Sequence, residues 1–272
     1  MDMRVGCTFG SLLSEKNVEQ AKAFPDIRYM GNGATGRWES AADIDVHGSP
    51  TVLNMSATCY FTAFNLKTRV PAFKHVPIGL VRSSIAAQTI ERFLSPSVLE
   101  AAGVPEKNAT SIGCSGQTAH TLYDELIVPL APFVFKALVW YQGEANVACN
   151  YDGNPSTPAW QHNYYHKLLS ALISSWRELF DVTFSVVVVQ LAAYTDSAGN
   201  GSALPELRAA QQLAASAQPH TGLAFPIDIG DDIRDAYPNP GHCHEFGGAE
   251  NGSPFLKKFP AAVCRDWLRT DM

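Results

Sequence analysis

Apolar positions along this chain change period from block to block, and each change marks an element. Between Trp160 and Phe180 the residues Tyr164, Leu168, Leu172, Ile173 and Trp176 recur at helical spacing, which predicts a long amphipathic helix. Phe184 to Leu191 contains a run of consecutive valines, apolar on both faces, which predicts a buried strand. Leu204 to Ala217 returns to helical spacing, and Leu223 to Ile229 reads as a further strand. A closing helix is predicted from about Pro254 to Leu268. On the amino-terminal side, residues 17–23 read as a short helix and Ile27 to Met30 as a strand, followed by glycine-rich loop at Gly31, Gly33 and Gly36. Ser49-Pro50 is a helix-opening signal. Leu53, Ala57, Tyr60, Phe61, Phe64 and Leu66 keep helical spacing after it, with Lys67 and Arg69 at the end that favours cations.

Val76 to Ser84 is the next predicted strand, and Ala86 to Phe93 a short helical segment. Residues 96–117 read as loop-rich, and His120 to Leu130 as helix up to Pro132. A short apolar run then begins at Phe135 and ends in a polar cluster around Gly143, and residues 147–159 read as polar loop. Strands alternating with helices predict an α/β fold with a parallel sheet covered on both sides. No internal repeat or linker divides residues 1–272, so one domain is expected. In open sheets of this class, ligands bind outside the carboxyl ends of the strands, which puts Gln142, Glu144 and Asn146 where chemistry is expected. Gln142 has a plainer alternative, a hydrogen-bonded side chain closing the strand end.

Composition narrows the functional classes. With 46% hydrophobic residues, 272 residues are enough to bury a sizeable core. A net charge of −6 without a dense Lys/Arg cluster gives no support for nucleic-acid binding. No apolar run is long enough to span a bilayer, so no membrane partner is expected. Cys7, Cys59, Cys114, Cys149, Cys243 and Cys264 show no Cys-x-x-Cys spacing, and no metal site is expected. Asn-x-Ser/Thr sequons stand at Asn54, Asn108, Asn200 and Asn251. Together they point to a secretory, lysosomal or extracellular glycoprotein, although Met1-Asp2-Met3-Arg4 does not begin a signal peptide. Asn54 is expected inside a helix.

The string Trp140-Tyr141-Gln142-Gly143-Glu144-Ala145-Asn146 resembles the third conserved block of the sialate O-acetylesterase family, within the SGNH-type esterases. Further segments resemble the same family in the right order. Pro77 to Ser84 followed by Thr89-Ile90-Glu91 is similar to the second block, and Pro129 to Phe133 leads into the third. Leu172-Ile173 and Trp176-Arg177 match the following helix, and Asp228-Ile229-Gly230-Asp231 precedes the last block. The resemblance covers residues 24–240. It implies a three-layer α/β/α sandwich with a flavodoxin-like parallel sheet. It also implies hydrolysis of acetyl esters on sialic acid or related sugars through an acyl-serine, without metal or other cofactor. The implied partner is an O-acetylated sugar.

Such hydrolysis needs a serine nucleophile, a histidine base oriented by an aspartate, and donors for the oxyanion. The family carries its serine in Gly-Gln-Ser-Asn-Met, a string this chain lacks. Met1 fits the last residue of that block, so the expectation is a domain lacking its first strand and nucleophile block. Ser11, in a string like Gly-Asp-Ser-Leu, and Thr118, in a string like the first block, are decoys; Ser115 lies beside the second. The oxyanion contacts implied by the resemblance are Ala86, Gln142, Gly143, Glu144 and Asn146, with Ser84 beside them. Ala86-Ala87 replace the family's Gly-Gly pair. In the last block Asp235 is the expected orienting acid, with Asp231 and Asp232 as alternatives. Tyr237 stands at the family's histidine position, and a phenol is a poor general base at neutral pH. His242 and His244 follow it, His242 being the candidate replacement base. These departures leave a rival expectation, a non-catalytic carbohydrate-binding domain.

Overall fold

The computed structural model describes residues 15–31, 38–43, 56–85, 88–103, 119–131, 133–148, 162–191 and 203–225. The contacts among them divide the chain into two compact units, one running from Ala86 to Phe225 and the other made of the described residues up to Ile85.

The amino-terminal unit is built on a βαβ crossover. Helix α1 (Glu15–Lys22) precedes strand β1 (Ile27–Met30). The short strand β2 (Glu39–Ser40) pairs with β1 antiparallel. Helix α2 (Ala57–Arg69) then returns the chain to strand β3 (Ile78–Val81), which lies parallel to β1 in register Ile27 with Ile78 and Met30 with Val81. Ile27 and Tyr29 are buried on one face; on the other face Arg28 is exposed and Met30 is buried. Helix α2 opens later than its sequence suggests. Ser56 holds an extended backbone and its Oγ accepts the Cys59 N–H at 3.2 Å, so Ser56 is the cap. Ser49-Pro50, Leu53 and Asn54 lie outside the described residues. Near the end of α2, Lys67 is buried with its Nζ 2.6 Å from Asp26 Oδ2 and 2.8 Å from the Val76 carbonyl, tying the helix to the starts of β1 and β3.

The second unit holds the sheet that positions the candidate site. Strands β4 (Ala137–Trp140), β5 (Ser185–Val189) and β6 (Thr221–Ala224) are all parallel and lie in the order β4-β5-β6. Between β4 and β5 run the short helix α4 (Glu144–Ala148) and the long helix α5 (His162–Leu179). Helix α6 (Ala203–Ala217) connects β5 to β6 and packs on both the sheet and α5. Two successive βα crossovers onto a parallel sheet establish the α/β class expected from the sequence. β5 is buried at every position, which explains why its valine run carries no alternation.

Several elements differ from expectation. Helix α3 (Pro96–Ala101) falls where loop is expected, because Ser95 caps it through the Val98 N–H and Pro96 suits its first turn. The segment after His120 is no regular helix. It forms a π-helical turn at Tyr123–Ile127 and a 3-10 turn at Val128–Leu130, since Pro129 has no N–H to continue an α ladder. Tyr165, fully buried, is the inward residue of the pair at the start of α5, while Tyr164 is half-buried. β6 begins at Thr221, earlier than expected, and residues beyond Phe225 are outside the described set. Among the described residues no helix is long and apolar enough to cross a membrane, and no His/Cys/Asp/Glu group could hold a metal ion.

Candidate functional site

Strand β4 ends on Trp140, which is fully buried. Its ring meets Phe93 and Trp176 edge-on, at centroid distances of 5.9 Å and 6.0 Å. Edge-to-face pairs of this kind add about 0.5–1.5 kcal/mol each beyond area burial. The Trp140 Nε1–H donates to the Tyr165 hydroxyl at 3.3 Å, and the Trp176 Nε1–H donates to the Phe93 carbonyl at 3.2 Å. The end of β4 is thus fixed against α5 and against the 3-10 turn Ile90–Phe93.

Gln142 and Asn146, which follow, are fully buried and partnered. The Gln142 side-chain amide donates to the Gln88 carbonyl at 3.0 Å and to Asn146 Oδ1 at 2.7 Å. Asn146 Oδ1 also accepts the Ile90 N–H at 3.0 Å, and its Nδ2 donates to the Glu91 carboxylate at 3.2 Å. These backbone partners dictate the amide orientations, because the Ile90 N–H needs an oxygen and the Gln88 carbonyl needs an N–H. On the other side of Gln142, the Tyr165 hydroxyl lies 2.9 Å from its carbonyl and 2.8 Å from its Oε1, and donates its single proton to one or the other. Burial pushes the Tyr165 phenol far above its ordinary range, so it stays protonated. Gln211 on α6 completes the set. Its Nε2 donates to the Gln142 carbonyl at 3.0 Å, and its Oε1 accepts the Leu191 N–H at 3.0 Å, so one side chain satisfies the ends of both β4 and β5.

The arrangement is a clamp. Gln142 and Asn146 hold the backbone of Gln88 and Ile90, the segment directly after Ala86-Ala87, and Glu91 holds Asn146 from behind. Glu91, Asn146 and Gln142 are each 0% exposed. Replacing Asn146 with leucine takes the acceptor from the Ile90 N–H and this donor from Glu91. The expected loss is about 1–3 kcal/mol in a denaturant titration, with faster hydrogen exchange at the Ile90 amide. An Ile90 amide exchanging at the wild-type rate would show that Asn146 does not hold that backbone.

Gly143 lies between the two clamp residues at φ +151. A Cβ there would lie 2.6 Å from Leu207 Cδ2 and 3.0 Å from Leu191 Cδ1. The glycine lets the chain turn off β4 beneath α6. Glu144 follows in the first turn of α4, half-buried.

Of the residues singled out in the sequence, the structure brings Gln142, Gly143, Glu144 and Asn146 together at the carboxyl end of β4. Ser84 belongs to the amino-terminal unit, where its hydroxyl accepts the Arg82 Nε–H at 2.8 Å. Ala86, Asp235, Tyr237 and His242 lie outside the described residues, as do Asp231, Asp232, His244, Ser11, Ser115 and Thr118. The clamp also contains residues that sequence reasoning did not assign to it, namely Gln88, Glu91, Tyr165 and Gln211. Glu91 carried one signal, a carboxylate inside the string Thr89-Ile90-Glu91, and Gln211 another, an amide on a helix face otherwise of alanine and leucine.

Comparison with known proteins agrees with the motif. No protein-family model matches the chain. Sialate O-acetylesterase of Pongo abelii is 29% identical over 243 residues, covering 79% of this chain and 44% of the relative. That of Homo sapiens is 29% identical over 192 residues, covering 65% and 34%, and that of Rattus norvegicus 26% identical over 272 residues, covering 80% and 47%. The chain therefore spans less than half the length of these curated relatives. The Trp140–Asn146 string stands at the end of a parallel strand, and along most of its sequence the chain is similar to the sialate O-acetylesterases.

Proposed function

We propose that this chain is a carbohydrate O-acetylesterase scaffold of the SGNH type, in which residues 1–272 form one domain. Its substrate class is an acetyl ester on sialic acid or a related sugar, and the sequons favour a secretory or lysosomal setting. The observation that carries the reading is the clamp. Gln142 and Asn146 come from the family's third block and grip Gln88 and Ile90 of its second block. In acyl transfer the oxyanion needs N–H donors held rigid before the reaction begins. A clamp of buried amides next to Ala86-Ala87 supports that role. Gln142 and Asn146 act here as positioning residues, since their own polar atoms are engaged with protein.

The chemistry would run through a serine. Its hydroxyl oxygen bonds to the acetyl carbon as a base takes its proton. The sugar oxygen then leaves with a proton, and water releases acetate from the acyl-serine. Asp235 is the proposed orienting acid, and His242 is the nearest imidazole in sequence to the Tyr237 position.

A second reading has specific support. Tyr237 in place of histidine and Ala86-Ala87 in place of two glycines favour a domain that binds the sugar without cleaving it. Isothermal titration with O-acetylated and de-O-acetylated sialic acid, run alongside an acetate-release assay, separates the two readings. Acetate release supports the esterase. Saturable binding of the acetylated sugar without release supports the binding domain. Neither binding nor release would overturn both.

A further inference from the structure

At the opposite end of the same sheet, where β4, β5 and β6 begin, lies a cleft of about 460 Å³. That volume falls within the range of small-molecule sites. Its walls come from the three lead-in segments: Val134, Phe135 and Lys136 before β4, Thr183 and Ser185 at the start of β5, and His220 before β6. The backbone of these segments is pinned. The Ser185 N–H donates to the Lys136 carbonyl at 3.2 Å, and the Val186 N–H to the His220 carbonyl at 2.9 Å. Arg177 of α5 donates to the Phe184 carbonyl at 2.9 Å and to the His220 carbonyl at 3.3 Å, bracing the β5 and β6 sides together. Phe135 is held edge-on against Phe180 at 5.1 Å.

The chemistry of the walls is one-sided. They carry an ammonium, an imidazole and two hydroxyls, and no carboxylate. None of these four side chains has a hydrogen-bond or ion-pair partner among the described residues. The same lining includes the apolar Val134, Phe135 and Val182, and Val134 is 83% exposed, an unusual state for a valine beside a recess. We propose that this cleft is a binding site for a small organic carboxylate with an apolar or aromatic body. The carboxylate pairs with Lys136 and takes hydroxyl donors from Thr183 and Ser185, and the body covers Val134 and Phe135. The site is separate from the clamp at the carboxyl end of β4 and does not depend on the esterase reading.

A fluorine-NMR titration of the whole chain with 4-fluorobenzoate, and with neutral 4-fluorobenzamide as comparator, tests the assignment. Benzoate is expected to bind at least about tenfold more tightly than the amide. Lys136→Met should weaken benzoate about tenfold, Lys136→Arg should retain it, and Val134→Glu should abolish it by placing a carboxylate at the mouth. Lys136 and Val134 are exposed, so these variants leave the packed sheet intact, and Lys74→Met on the other unit serves as a charge-matched control. Equal affinity for amide and benzoate, no saturable binding of benzoate, or an equal response to Lys136→Met and Lys74→Met would each overturn the proposal.

Discussion

Replacing Gly143 with alanine is expected to destabilise the chain by about 2–6 kcal/mol, far more than a typical single substitution. Two separate penalties meet at this position. At φ +151 the backbone sits where a residue with a Cβ is strained, which costs about 1–3 kcal/mol. The added methyl would also lie 2.6 Å from Leu207 Cδ2 and 3.0 Å from Leu191 Cδ1, and overpacking of this kind costs a further 1–3 kcal/mol or so. Leu207 and Leu191 are both 0% exposed, so neither side chain can swing into solvent to make room. The effect also reaches the site, because Gly143 separates Gln142 from Asn146. A denaturant titration checks the magnitude. A double-mutant cycle with Leu207→Ala then divides it, since truncating Leu207 relieves the overlap and leaves the backbone strain. A loss below about 0.5 kcal/mol for Gly143→Ala would mean that the chain does not turn off β4 in this way.

The largest effect on activity is expected at Tyr237. Three versions of the chain, assayed on a chromogenic acetyl ester, should form a ladder: the 272-residue chain, the chain with Gly-Gln-Ser-Asn placed before Met1, and that extended chain carrying Tyr237→His. The first is expected to be silent and the second weak. The third should exceed the second by several orders of magnitude in kcat/KM. Attack by a serine hydroxyl is slow unless a base takes its proton, and a phenol with an ordinary pKa near about 10 is poorly matched to that task at neutral pH. Losing one triad member removes most of the rate, and the oxyanion contacts alone retain only a residue of it. Strong activity in the 272-residue chain would move the nucleophile to Ser11, Ser115 or Thr118. Full activity in the second version would make His242 or His244 the base.

The two experiments probe different layers of the molecule. The first depends on packing around β4, and the second on residues assigned by resemblance. An intact Gly143 effect with a flat activity ladder would leave a well-formed scaffold that binds without cleaving. That outcome would favour the carbohydrate-binding reading.

Much of the architecture was legible from periodicity. β1 at Ile27–Met30, α5, β5 and α6 fall where the hydrophobic pattern places them, because each carries a strong local signal. A valine run with no alternation has few alternatives to a buried strand, and an 18-residue helix repeats its apolar stripe often enough to be unmistakable. Short elements were less legible. The opening of α2 turned on which of two serines caps it, and α3 rests on Ser95-Pro96 within a segment of loop-like composition. Each of those signals spans two or three residues, and tertiary packing decides among them.

The chemistry divides along the same line. The sequence alone determined the α/β class, the strand that leads into Tyr141-Gln142-Gly143, and the resemblance to the sialate O-acetylesterases, because these depend on residue order within a short window. It also recorded the departures at Tyr237 and Ala86-Ala87. Only the tertiary structure decided what Gln142 and Asn146 do. Their partners, Gln88, Ile90, Glu91, Tyr165 and Gln211, come from the segment before β4 and from two helices after it, and no local pattern encodes those distances. A buried amide must have its hydrogen bonds satisfied wherever the fold supplies partners. Once β4 ends beneath α6 and beside the Ile90–Phe93 turn, the polar string can only close on that backbone, and it becomes a clamp.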